Sequence, residues 1–198
     1  RTVKIGNQWW MAENLRVARY RNGDEIPDVT DASTWGNLST GARCAYHNYP
    51  GNVMVKGYLY NWHAATDRRN IAPDGWHMPA DGEWKTLEKH LGLSQTQADA
   101  EGFRGTDEGG KLKEPGTTHW VTPNTGATNE SGFTAIPNGS RYYYDGTFDD
   151  SNSVALYWTS TAKETDRSWA RYLPFDSATI LRSFGRKNDG FSVRLLKD

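Results

Sequence analysis

Nine Trp and ten Tyr stand against only 31 Leu, Ile, Val and Phe in a chain of 198 residues. So few aliphatic side chains ordinarily mark disorder, but disorder also goes with high net charge and few aromatics. Here the formal net charge is −1 and aromatics make 13% of the chain. A buried aromatic ring removes more surface from water than a Val does. The sequence therefore predicts a folded domain whose core rests on aromatic packing. Twenty Gly and eight Pro are scattered along the chain, which suits a loop-rich fold with many turns. The length predicts one domain over residues 1–198.

A single cysteine, Cys44, excludes an intrachain disulfide. No apolar run approaches the roughly 20 residues of a membrane helix, so no direct membrane insertion is expected. The sequence opens at Arg1 without Met, as expected of a form that begins after a removed segment. Near-neutral charge supplies no long-range pull toward nucleic acid or anionic lipid.

Local patterns predict a strand over 2–9, with Val3 and Ile5 alternating against Lys4 and a Gly6-Asn7 turn, and a second apolar patch at Trp9, Trp10 and Met11. Asn22-Gly23-Asp24 is hairpin-like. Residues 30–38 read as loop or short helix around Trp35, 42–49 as a strand, and 57–65 as an aromatic segment leading into a helix or strand end. The clearest helix runs over 79–91: Trp84, Leu87 and Leu91 share one face. Glu83 lies in its first turn, Lys89 and His90 in its last, and Gly92 is its C-cap. Ala80 is a weak N-cap. A short helix is expected over 94–101, and a polar excursion over 105–137. Strands are expected at 141–144, 155–160, 169–175, 179–184 and 191–196. Trp169, Arg171, Leu173 and Phe175 share one face and Ala170, Tyr172 and Pro174 the other. Pro174 points to an edge strand or a strand end.

The opening TVKIGNQWWMAENL, then GYLYNWHAA, GWHMPADGEWKTLEKHLG, SGFTAIPNGSR, YWTSTA and the closing GFSVRLLKD occur in one order. Together they resemble the Fibrobacter succinogenes major paralogous domain of Bacteroidetes. Gly75 to Trp84 is also similar to the R-L-P-T-E-A-E-W stretch of formylglycine-generating sulfatase-modifying enzymes. The resemblance implies an α+β, C-type lectin-like fold: two helices around small twisted antiparallel sheets, with long loops forming a binding face. It also implies an exported protein held at the cell surface or outer membrane as a lipoprotein. Tyr157 to Arg194 resembles the variable regions of retroelement-diversified lectin-like proteins.

The catalytic motifs are missing. A reactive cysteine needs a base or a helix N-terminus to lower its pKa, and no sequence feature offers Cys44 either, so it reads as structural. His47, His63, His77, His90 and His119 show no close zinc-ligand pairing; His77 reads as a packing or hydrogen-bonding residue. Glu114-Pro115-Gly116 and Lys187-Asn188-Asp189 both depart from the calcium and sugar motifs of lectin domains. Asp145, Asp149 and Asp150 around Gly146 read as a solvated turn. There is no P-loop and no Gly-x-Ser-x-Gly elbow. No metal and no cofactor are expected.

Binding chemistry is denser. Aromatic and Arg side chains are favoured interface anchors, and Trp169, Arg171, Tyr172, Asp176, Arg182, Phe184, Arg186 and Asn188 are the candidate ligand-binding residues. Arg171, Arg182, Arg186 and Asn188 are expected at the surface, Trp158 and Phe191 in the core. Trp169, Tyr172 and Phe184 fit either role. Of Tyr142, Tyr143 and Tyr144, at least one should be exposed. The expected function is a non-catalytic recognition module for a protein or glycan ligand. The alternatives are a structural or adhesive surface component, or a divergent enzyme of the sulfatase-modifying group.

Overall fold

The alternation of Val3 and Ile5 with polar neighbours does produce a strand. In the computed structural model, which describes residues 1–149 and 152–198, β1 (Thr2–Ile5) pairs antiparallel with β2 (Gln8–Met11). Gly6 turns the chain between them at φ +59°, a conformation that favours glycine. After β2 come α1 (Ala32–Gly36), β3 (Arg43–Ala45), α2 (Val53–Lys56), β4 (Tyr58–Tyr60), α3 (Trp62–Ala65) and β5 (Trp76–His77). Then follow α4 (Asp81–Leu91), α5 (Gln95–Asp99), β6 (Gly102–Arg104) and α6 (Glu108–Leu112). The rest is β7 (Ser140–Arg141), β8 (Phe148–Asp149), β9 (Val154–Ala162), β10 (Arg167–Pro174), β11 (Ile180–Arg186) and β12 (Leu196–Lys197). The fold is mixed α and β, with small antiparallel sheets and few helices longer than a turn or so.

One sheet has the order β1-β2-β12-β5, so the first hairpin and the last strand lie side by side. The larger sheet has the order β6-β11-β10-β9. β3 pairs with β4 and β7 with β8. Single bridges from Phe191 to Tyr60, Ser192 to Tyr157 and Gly190 to Arg141 tie these sheets to one segment near the C-terminus.

α4 ends as its sequence predicts but starts at Asp81, two residues after the expected Pro79, and its weak N-cap Ala80 is relieved from elsewhere. Ala80 has no side-chain acceptor, so Glu83 reaches back to accept the Ala80 N–H at 2.8 Å, and Thr161 Oγ1 of β9 accepts the Asp81 N–H at 3.0 Å. Gly92 closes the helix at φ +139°. Trp84, from the apolar face, meets Trp10 at 4.9 Å and Phe133 and Tyr157 at 5.7 Å. A second cluster holds Tyr60, Trp158, Phe191 and Val193, with Trp158 and Phe191 4.3 Å apart. A third holds Trp35, Cys44, Tyr46 and Leu59. Trp10, Trp35, Trp84 and Trp158 are all fully buried, so the core is aromatic.

Four cations are fully buried with them: Arg141, Arg171, Arg194 and Lys113. Each is met by oxygen. Lys113 Nζ donates to the carbonyls of Thr125, Pro174 and Ser177 at 2.8 to 3.0 Å. Burial pulls its ammonium pKa down to about 8.

Several strands are shorter than their apolar patterns predict. The expected strand 42–49 stops at Ala45, because His47 and Asn48 take positive φ in a tight turn. The expected strand 141–144 stops at Arg141, because Tyr142 N–H turns back to Thr147 O. Residues 191–195 are continuously buried and make only single bridges; the regular pairing begins at Leu196. β10 is not an edge strand: it lies between β9 and β11, with Pro174 at its last position. Among the described residues, no helix is long and apolar enough to cross a membrane.

Candidate functional site

Arg141 organises one rim of the molecule. Fully buried, it lies 4.5 Å over the Trp35 ring and donates to Val29 O, Thr30 O and Gly146 O. These bonds hold the approach to α1 against the Tyr142–Thr147 turn. Asp31 caps α1 by accepting from the Thr34 N–H at 2.7 Å. The two segments touch closely: a Cβ on Gly36 would come within 2.6 Å of Tyr143 O, and one on Gly146 within 2.5 Å of Ala32.

The chain leaving β11 forms the next wall. Asp189 is 7% exposed and binds both sides of the rim. Its Oδ1 accepts the Tyr143 N–H at 3.0 Å and its Oδ2 the Arg186 N–H at 2.8 Å. Burial pushes its carboxyl up to about 6 despite these two donors. Asn188 bridges two further elements. Its Oδ1 accepts from His63 Nε2 at 3.0 Å, and its Nδ2 donates to Gly36 O at 3.3 Å. Lys187 lies 4.3 Å over the Trp62 ring and donates to Thr165 O. Arg186 lies over the Tyr143 ring and pairs with Asp166. Between these walls is an open hollow of about 370 Å³, lined by Leu38, Ser39, His63, Tyr143, Thr165, Asp166 and residues 186–188. That volume falls within the range of small-ligand pockets.

Of the expected binding residues, the structure brings Arg186 and Asn188 together at this hollow. Trp169 and Phe184 form a half-buried cross-strand pair nearby on the larger sheet. Lys163 lies over both rings at 4.5 and 4.2 Å, and Arg182 stacks on Trp169 at 3.6 Å. Tyr172 faces the opposite side of that sheet, where it packs against Phe191 and donates to Phe184 O. Asp176 lies at the other end of the β10–β11 hairpin, roughly 20 Å away by strand rise.

The surface placement of Arg171 and Arg182 is corrected. Arg171 is 0% exposed and Arg182 6%. Both lie under α4, where the expected face alternation aims them at acidic residues of the helix. Arg171 Nε donates to Glu88 Oε1 at 2.5 Å and Nη1 to Asp81 Oδ1 at 2.8 Å. Arg182 grips both oxygens of Asp81 at 2.8 and 2.9 Å, and Arg104 joins Glu88 at 2.9 Å. Burial works against the charge on Asp81, but the Arg182 hydrogen bonds and the Arg171 charge hold its carboxyl down to about 2. These arginines hold α4 on the sheet and have no free surface to offer a ligand.

The other marked residues are engaged in structure. Cys44 is fully buried and burial pushes its thiol up to about 12, so it stays protonated at neutral pH. His77 joins Asp198 at 2.6 Å and Glu83 at 2.9 Å; burial opposes its protonation, but the two carboxylates raise its pKa overall. Asp145 Oδ1 accepts from the Thr147 N–H and hydroxyl, and Asp149 Oδ2 from the Tyr142 hydroxyl. Asp150, the third member of that acidic loop, lies outside the described residues. Among the described residues no group of three or more His, Cys, Asp and Glu side chains could hold a metal ion. Sequence reasoning did not select His63, Arg141, Tyr143 and Asp189 for the site; the run of three tyrosines was the one local signal near it.

A profile of the Fibrobacter succinogenes major domain matches residues 3–197. The chain belongs to the Fibrobacter succinogenes major domain family. No curated protein and no solved structure matches it. In this family member the GYLYNWHAA motif supplies Trp62 and His63 to the rim. The GFSVRLLKD motif supplies buried Arg194, which donates to Asn14 Oδ1, Met11 O, Phe133 O and Thr134 O. GWHMPADGEWKTLEKHLG supplies the acidic face of α4, with Asp81 and Glu88. Most of the family-like motifs thus build the frame, and one reaches the hollow.

Proposed function

We propose that this Fibrobacter succinogenes major domain is a non-catalytic recognition module of an exported, cell-surface protein, binding a protein or glycan at the Arg186–Asn188 rim. The observation that carries this reading is an open hollow with walls from five separate segments, held by buried Asp189 and half-buried Asn188. Asp189 fixes two of its walls and Asn188 two more. A preorganised site loses less conformational entropy on binding than a floppy one. Paired terminal strands, a central antiparallel sheet and long connections also suit a C-type lectin-like architecture, in which the loops at one end bind. The rim lies within residues 157–194, the stretch that resembles retroelement-diversified regions. Diversification there would alter Arg186 and Asn188 while leaving the Arg141 anchor untouched.

The test is a binding screen of the whole chain against immobilised glycans and candidate proteins, in calcium and in chelator. The expected result is a ligand whose binding survives chelator and weakens about tenfold in Asn188→Ala. A ligand that binds that variant undiminished overturns the assignment of the rim.

A further inference from the structure

The rim hollow shares a wall with a second hollow. This second hollow, of about 520 Å³, lies on the other side of Tyr143 and is lined by Ala32, Ser33, Gly36, Asn37, Tyr144 and Asp145. Tyr143 lines both. Gly36, whose carbonyl takes the Asn188 amide, touches the Tyr143 backbone, so the two residues form the saddle between the hollows. Together they suit a ligand that is extended rather than compact.

The chemistry of the walls separates ligand classes. Every charged side chain along the groove already has a partner. Arg186 has Asp166, and Lys187 has Thr165 O and the Trp62 ring. Asp145 has Thr147, and Asp189 has two backbone N–H groups. The lining cations Arg186 and Lys187 are balanced by the lining carboxylates Asp145 and Asp166, so the groove presents no net charge to select an ionic ligand. Among the described residues, the hydroxyls of Ser33, Ser39, Tyr143, Tyr144 and Thr165 have no hydrogen-bond partner within the protein. Ser33, Ser39, Tyr144 and Thr165 are exposed. The rings of Tyr142 and Tyr144 stack beside them at 5.3 Å, 22° from parallel. Free hydroxyls beside aromatic rings complement a molecule with apolar C–H faces and many uncharged hydroxyls.

We infer that the groove across Tyr143 binds a neutral oligosaccharide, with sugar units on both sides of the saddle. This rests on the recognition reading above and narrows its ligand. Because the second hollow lies past Tyr143, affinity should grow with chain length. The two hollows should also be separable: Ser33 touches only the far unit, and Asn188 only the near one.

The experiment is calorimetric titration of the whole chain with neutral gluco-, manno- and xylo-oligosaccharides, from the monosaccharide upward. Oligogalacturonates and a peptide library are the comparators. The expected result is that at least one neutral series binds, gaining about tenfold or more in affinity between the monosaccharide and the longer members. Tyr143→Ala should lower that affinity about tenfold and Tyr143→Phe by less, with unchanged thermal melting of Tyr143→Phe as the folding control. Ser33→Ala should weaken the long members only. If a peptide or an oligogalacturonate binds instead, and Asn188→Ala weakens it, the ligand class is overturned and the recognition reading stands. If nothing in any series binds, both are overturned.

Discussion

Arginines from one strand pair meet two different fates. Arg171 and Arg182 lie opposite each other in β10 and β11, beneath α4, and are buried on Asp81 and Glu88. Arg186 lies four residues beyond Arg182 along β11, past the cover of the helix, and its side chain is 35% exposed. The side chains are chemically identical and the strand is continuous. What differs is the overlying layer. Under α4 an Arg must be fully partnered, because a buried charge without a partner costs several kcal/mol. At the rim water shares that task, and the side chain stays available to a ligand.

The sharpest way to break this comparison is Arg171→Ala. It leaves Glu88 buried with one fewer cation and should cost about 3–5 kcal/mol in urea unfolding. A loss below about 1 kcal/mol would mean that the ionic cluster does not hold α4 to the sheet. A smaller effect separates the two regions by pH, because their buried carboxylates shift in opposite directions. Asp81 is held at about 2 instead of its ordinary 3.8. Its contribution is fully present above 3.8 and is lost as pH falls toward 2, about 2 kcal/mol in all. Asp189 is raised from 3.8 to about 6. Between those values the native state holds the extra proton, so stability falls by about 2–3 kcal/mol as pH rises from about 4 to above 6. Unfolding midpoints across this range should therefore decline toward neutrality. Asp189→Asn should flatten that decline while leaving the acid limb in place; an unchanged decline would assign it to other groups.

Asn188→Ala should reverse the pattern of Arg171→Ala. It removes the bridge between His63 and Gly36 at a part-exposed site, so stability should change by about 1 kcal/mol, while ligand affinity drops about tenfold. Equal losses of both would make Asn188 a structural residue like Arg171. The smallest effect is expected from Asp166→Asn. Its pairing with Arg186 is largely exposed, and such pairs contribute about 0–1 kcal/mol. The thermal melt should hardly move. Binding of an acidic glycan should rise, because Arg186 loses its partner; no change would place Arg186 outside the contact surface.

The elements most legible in the sequence were those set by near neighbours. The periodicity of Trp84, Leu87 and Leu91 identifies α4, with Gly92 at its end, and Gly6-Asn7 is legible as a turn, although the strand expected over 2–9 is split there into the two strands of the first hairpin. The aromatic excess identified the nature of the core. Two of the eight expected binding residues, Arg186 and Asn188, come together at the hollow, and Trp169 and Phe184 lie beside them on the sheet. The others divide by what covers them. Alternation along β10 placed Arg171 on the same face as Trp169, and that phase is consistent with α4 lying over it. It could not report that the helix covers one residue and stops short of the other. Tyr143 lost its expected strand because the Tyr142–Thr147 turn closes on itself, and its role depends on Gly36, more than a hundred residues earlier.

The sequence alone determined an aromatic, turn-rich fold, one firm helix, an unreactive setting for its cysteine and membership of a family. These follow from local spacing, composition and ordered motifs, which need no knowledge of distant contacts. Only the tertiary structure decided which cations are structural, which two hollows meet at Tyr143, and that Asp189 joins their walls. Burial and pairing are properties of segments far apart in the chain, and the free energy of a charge depends on the groups that the fold brings around it.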